Sequence, residues 1–235
     1  QARTSAPLVP MRLFRDRSFT VTNIAGFGFS FGTFGAIFLL IQYMQVVQGA
    51  SPREAAVRTT PWTLAPMVIA PLAGLIAPRI GTRILMVVGL VMQATALIWL
   101  AAILDLDTPY AAMIAPFVIA GVGMGLVFAP SATALLATLG IVDHAKASGV
   151  NSTVREIGLA LGTAVLTAIF LGAGGELIPD LYVEAARPAV FVGGIVLVVS
   201  AIAALWLPAG RSAQSPTQPV ATSAVAGTST RSGQV

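Results

Sequence analysis

Long apolar stretches separated by short polar clusters dominate the chain from Val21 onward. A hydrocarbon core about 30 Å thick is crossed by about 20 helical residues at 1.5 Å each. That ruler picks out segments at about Val21 to Val46, Ala55 to Ala77, Ile84 to Leu104, Tyr110 to Leu139, Ala147 to Leu171 and Ala189 to Leu207. The pattern predicts an all-α transmembrane six-helix bundle over residues 19–208. Pro61, Pro66 and Pro71 fall in the second span, where neighbouring helices can satisfy the freed carbonyls, and kinks are expected there. Ahead of the bundle, residues 1–18 read as a linker. Its Met11 to Ser18 stretch sets Leu13 and Phe14 among Arg12, Arg15 and Arg17, a short basic amphipathic pattern suited to an anionic membrane surface. Residues 209–235 turn to Ser, Thr, Pro, Gly, Ala and Gln and are expected to be a disordered tail.

Composition agrees with lipid as the solvent: 56% of residues are hydrophobic, only 9% are charged, and the mean hydropathy is +0.87. No soluble fold has the polar shell to cover that much apolar surface. The chain has no cysteine, and His144 is its single histidine, so disulfides, thiolate metal sites and nucleophile–base catalysis lack material. Neither an enzyme nor a cofactor site is expected. A net charge of +4 invites a nucleic-acid reading, but the arginines are dispersed through the loops rather than gathered on one face, so no nucleic-acid partner is expected.

Their placement is topological. With the N-terminus inside, one side of the membrane holds Arg3, Arg12, Arg15, Arg17, Arg79, Arg83, Lys146, Arg155, Arg211 and Arg231, and the other only Arg53, Arg58 and Arg187. Positive loops stay in the cytoplasm, so both termini are expected there. The chain opens at Gln1 with a polar, Pro-containing stretch that lacks the apolar region of a signal peptide, and it is read as a fragment.

Glycines recur at four-residue spacing inside the spans: Gly28 with Gly32, Gly121 with Gly125, and Gly158 with Gly162. Such pairs allow close helix contact, either as static packing or as surfaces that slide. Glycine clusters open two three-helix blocks entering from opposite sides, which suggests an inverted 3+3 repeat. Among polar residues, Gln42, Gln45 and Gln93 must be hydrogen-bonded or wet, and Gln42 is a candidate substrate contact. In the fifth span Ser148, Asn151, Arg155, Gly158 and Gly162 form one protein-facing stripe. Arg155 stands nine residues after Lys146, about 13 Å along the helix, and Glu156 points about 100° away from it. Asn151, Arg155 and Glu156 read either as pathway or gating residues or, for the two charges, as helix ends at the membrane surface.

Between the second and third spans, GLIAPRIGTR from Gly74 to Arg83 reads as a tight turn flanked by arginines. It resembles the loop signature of the major facilitator superfamily, approximately G-x-x-x-D-R-x-G-R-[RK]: Gly74, Arg79, Gly81 and Arg83 match, while Pro78 and Thr82 replace the acid and the first paired base. MRLFRDRSF, FGTFGAIFLLIQYMQVVQGASPREA, GVGMGLVFAP and ASGVNSTVREIGLALGTAV extend the likeness over Met11 to Pro208, similar to the C-terminal half of the fourteen-spanner drug:proton antiporters. The resemblance implies multidrug efflux across the plasma membrane, with membrane lipid, a missing N-terminal half, a small-molecule substrate and protons as partners. It further implies that Gly74, Arg79, Gly81 and Arg83 form a conformational switch. A proton-independent facilitator or importer, and a non-transporting scaffold, remain alternatives.

Overall fold

The computed structural model describes residues 15–136 and 141–207. The expected tail from 209 and most of the expected linker lie outside the described residues. Helix α1 (Arg17–Val46) is capped at its start by Asp16, whose carboxylate accepts from the Phe19 N–H at 2.9 Å. A short α2 (Pro52–Arg58) begins with a capping box, Ser51 and Glu54 bonding each other's backbone N–H, and with proline at its first position. It leads into α3 (Thr60–Ile80), followed by α4 (Thr82–Ile103), α5 (Tyr110–Leu136), α6 (Ile141–Gly172) and α7 (Pro179–Ala204). Among the described residues, six helical stretches are long and apolar enough to cross a membrane, with α2 and α3 together forming the second.

Three boundaries differ from the sequence expectation. The last span begins at Pro179 rather than Ala189, and the fifth at Ile141 rather than Ala147, because charged residues in their first turns lower the local hydropathy without stopping the helix. The expected turn from Gly74 to Arg83 is almost wholly helical: α3 runs on through Pro78 and Arg79, and Gly81 is the one residue between α3 and α4. Its φ of +94° is what lets two spans reverse across a single residue.

Helix directions follow from contacts at the two ends. The Ser18 hydroxyl, at the start of α1, donates to the Ala134 carbonyl near the end of α5, while Tyr43, near the end of α1, donates to the carbonyl of Asp105 beyond α4. α1 and α5 are therefore antiparallel. Each heads a block of three spans, and each packs along the second and third helices of the other block: α1 on α6 and α7, α5 on α3 and α4. The third helices, α4 and α7, close the bundle against each other. This is the interlocking of an inverted 3+3 repeat.

Glycines set the repeat's register. A Cβ built on Gly32 would fall 2.6 Å from the Gly193 carbonyl oxygen, and one on Gly123 would fall 2.5 Å from that of Gly89, so both seams are backbone to backbone. One turn further, Leu197 meets Gly32 and Gln93 meets Gly123 at the corresponding place. Gln93 is fully buried there, accepting from the Thr33 hydroxyl and donating to the Ala120 carbonyl at 3.0 Å, which ties α1, α4 and α5 near their middles.

Candidate functional site

Polar residues of α1 and α6 converge at the bundle end marked by Ser18 and Gly81. Asn23 on α1 donates to the Phe19 carbonyl at 2.8 Å, which leaves its own carbonyl oxygen to accept from the Asn151 amide of α6 at 3.3 Å. One turn along, the Arg155 stem runs beside Gly26, where even a Cβ would lie 3.6 Å from its Cγ. The Arg155 guanidinium then reaches between α1 and α5, 4.1 Å from the centre of the Phe128 ring and 5.7 Å from that of Phe29. These two rings meet edge to face at 5.6 Å.

Among the described residues no carboxylate pairs with Arg155. Glu156 is exposed on the neighbouring face of α6. Each cation–π contact is worth about 0.5–1 kcal/mol when exposed and about 2 kcal/mol when desolvated, against a cost of about 2.5–3.5 kcal/mol or more for a cation well inside a span. The rings hold the arginine without balancing its charge. A cleft of about 240 Å³ opens beside it, lined by Ser30, Phe34, Ser152, Arg155, Glu156 and Leu159. The Ser30 hydroxyl is buried there, 1% exposed, with no hydrogen-bond partner.

α6 is seated tightly enough for this placement to be fixed. A Cβ on Gly158 would meet the Phe27 carbonyl at 2.6 Å, and Gly162 lies against the backbone of Phe31. Because α1 leans this closely on α6, its free face is narrow. Phe27, Phe31 and Phe34, half-buried, and Phe38, 39% exposed, occupy that face in a four-three-four spacing, with Phe27 and Phe31 centred 6.1 Å apart.

Of the residues singled out from the sequence, Asn151 and Arg155 come together, with Glu156 on the rim. Gln42 does not join them: it is half-buried some 18 Å further along α1 than Ser30. Gln45 bonds within its own helix, to the Ile41 carbonyl at 3.4 Å. Gly74 and Arg79 lie exposed on α3, and Arg83 is half-buried in the first turn of α4 across the Gly81 turn. Trp62 is core, its ring tilted against that of Phe117 with centres 5.7 Å apart, while Trp99 and Trp206 are exposed, 42% and 65%, on the outside of the bundle. Asn23, Ser30, Phe29 and Phe128 were not picked out from the sequence. The Phe27 to Phe38 spacing was a readable signal for the open face of α1. Nothing in the sequence marked Asn23 or Ser30 apart from other small polar residues.

Comparison with known proteins decides the family. The Major Facilitator Superfamily pattern matches residues 22–232. The chain belongs to that superfamily. It is similar to the tetracenomycin C resistance and export protein of Streptomyces glaucescens, 28% identical over 81% of this chain and 35% of that protein. A multidrug transporter of Bacillus subtilis, MdtP, is 30% identical over 77% of this chain and 33% of its own length. The multidrug efflux pump LfrA of Mycolicibacterium smegmatis is 32% identical over 72% of the chain and 34% of its length. The chain thus spans about a third of the curated relatives it matches. Membership of the superfamily makes it a multi-pass membrane transporter chain and not an enzyme.

Proposed function

We propose that this chain is the C-terminal bundle of a proton-coupled exporter that moves small hydrophobic or amphipathic compounds out of the cytoplasm by alternating access. The supporting observation is the cluster of Asn23, Asn151 and Arg155, an under-compensated polar group opening on a cleft within an otherwise apolar bundle. The relatives named for export and multidrug efflux support the direction. On this reading Asn151, Arg155 and Glu156 line or gate the pathway from the cytoplasmic side, and Gln42 contacts substrate further along α1. The phenylalanine face of α1 gives the pathway its apolar wall.

Gly74, Arg79, Gly81 and Arg83 act as the conformational switch. Arg79 lies in the last turn of α3, where a cation is favoured by the helix C-terminus, and the single-residue turn at Gly81 transmits any tilt of α3 directly to α4. Both termini face the cytoplasm of a plasma-membrane protein, residues 1–18 forming the linker and 209–235 the tail. The missing N-terminal half completes the pathway, so the isolated bundle inserts and folds but moves nothing.

The test is transport by the full-length protein in everted vesicles. An imposed proton gradient, inside acidic, should drive accumulation of a lipophilic dye, and an uncoupler should abolish it. Dye entry that only equilibrates, with no accumulation and no response to the gradient or the uncoupler, would replace the antiporter with a facilitator.

A further inference from the structure

The cleft beside Arg155 combines three features that together specify a ligand chemistry. Its half-buried ionised group is a cation that no carboxylate pairs among the described residues. A second polar group, the Ser30 hydroxyl, is buried in the cleft lining with no hydrogen-bond partner, whereas Asn23 and Asn151 nearby bond each other. Phe34 and Leu159, apolar and on two different helices, form the apolar walls, with Ser152 and Glu156 completing the lining. A guanidinium offers planar paired donors that match a carboxylate's two oxygens, and a hydroxyl adds a third donor.

The cleft's carboxylate works in the opposite sense. Glu156 stands exposed on the rim of the cleft, whereas the Arg155 guanidinium is enclosed between the Phe29 and Phe128 rings, where the local dielectric is lower and a counter-charge interacts more strongly. A lipophilic cation entering the cleft would gain little from Glu156 and would be repelled by Arg155. A volume of about 240 Å³ accommodates the acidic end of a molecule and one or two fused rings, with the rest extending along Phe31 and Phe27.

We infer that this cleft is an acid-recognition subsite, in which Arg155 and Ser30 hold the carboxylate or phenolate of an aromatic substrate whose rings lie against Phe34 and Leu159. The inference rests on the efflux reading and names its substrate class.

A matched pair of tritiated probes tests it: naphthoate and naphthyl-trimethylammonium, which share the ring system and differ in charge. The readout is the ratio of their export rates by the full-length transporter in everted vesicles. Arg155→Gln should lower the naphthoate-to-ammonium ratio at least tenfold, and Arg155→Lys should recover part of it. Glu156→Gln should raise the ratio about twofold, since a charge opposing the anion is removed. Should Arg155→Gln fail to insert, Ser30→Ala provides a second arm, with an expected threefold to fivefold fall in the same ratio. A ratio that stays at its wild-type value in both variants overturns the subsite and leaves Arg155 partnered by a carboxylate from the rest of the transporter. If the wild type exports neither probe, the efflux reading fails by itself. The subsite is then judged from equilibrium binding to undriven vesicles: preference for naphthoate that is lost in Arg155→Gln supports it, and equal binding of the two probes overturns it.

Discussion

Arg187 and Arg155 both stand within long helices, and they are held in opposite ways. At the bundle end marked by Tyr43, Arg187 of α7 donates through Nε to the Leu104 carbonyl at 2.6 Å and pairs with Asp105 at 3.3 Å. The same end ties Arg58 to Gln48 at 2.8 Å, Gln48 to the Thr108 carbonyl at 3.1 Å, and Tyr110 to the Arg58 carbonyl at 3.0 Å. Every one of these donors ends on an acceptor that closes a loop between spans. At the other end Arg155 faces two rings and an open cleft. A charge whose partners are built in fastens structure, while a charge left under-compensated inside a span is expensive and persists for what it meets during function.

That contrast depends on α1 and α6 being seated correctly, so its largest test is the seam between them. A side chain at Gly162 would enter the backbone of Phe31, where relaxation means separating the two helices rather than turning a rotamer. Gly162→Leu should cost about 3 kcal/mol or more, at the top of the range for overpacking, read as a lowered unfolding midpoint in detergent. Gly149→Leu, on the same helix with nothing within 4 Å, is the control and should stay within about 0.5 kcal/mol. Equal effects at the two glycines would mean that the α1–α6 contact is not a packed seam.

The second test removes Arg187. A guanidinium hydrogen-bonded to a backbone carbonyl is worth more than its half-exposed ion pair, so Arg187→Ala should lower stability by about 1.5 kcal/mol, with transport following the folded fraction. The third, Arg155→Ala, should do the reverse. Removing an unbalanced cation costs the fold nothing or relieves it, so stability should hold within about 0.5 kcal/mol, while transport of an acidic substrate falls about tenfold, or about 1.4 kcal/mol in the barrier. Similar losses of stability in both variants would erase the distinction between the two arginines.

How much of this was legible in the sequence follows from which forces act over long runs and which act at single atoms. Six spans were readable because the bilayer imposes one length and one polarity on each, and the glycine pairs were readable because close helix approach demands small residues. Misplaced span starts at Pro179 and Ile141 arose where Asp180, Glu184 and Lys146 mimic a loop although the backbone is already helical. The Gly74 to Arg83 segment looked like a tight turn because glycines and two arginines bracket it, but α3 runs on through Pro78, whose missing N–H leaves the Gly74 carbonyl without its helical donor, a loss that spanning helices tolerate. Arg155 and Asn151 were visible as polar residues on a protein-facing stripe. Their partners were not: Asn23 lies 128 positions from Asn151, and Phe29 and Phe128 come from different blocks of the repeat. Ser30 mattered only once the fold showed its hydroxyl buried without an acceptor.

The smallest expected effect gives the finest resolution of the comparison. Asn151 bonds Asn23 at 3.3 Å, long for such a bond, and Asn23 keeps its own shorter bond to the Phe19 carbonyl whether or not Asn151 is present. Hydrogen bonds between spanning helices average about 0.6 kcal/mol, and Asn151→Leu should therefore shift the unfolding midpoint by no more than that. If Asn151 serves the pathway, export should fall about threefold despite that small shift, placing it with Arg155. If it serves as a fastener like Gln48, the two readouts should move together, stability dropping by 1 kcal/mol or more and export only in proportion, as about 1.4 kcal/mol corresponds to a tenfold change in population. The ratio of the two losses, rather than either alone, assigns Asn151 to the open end of the bundle or to its fastened architecture.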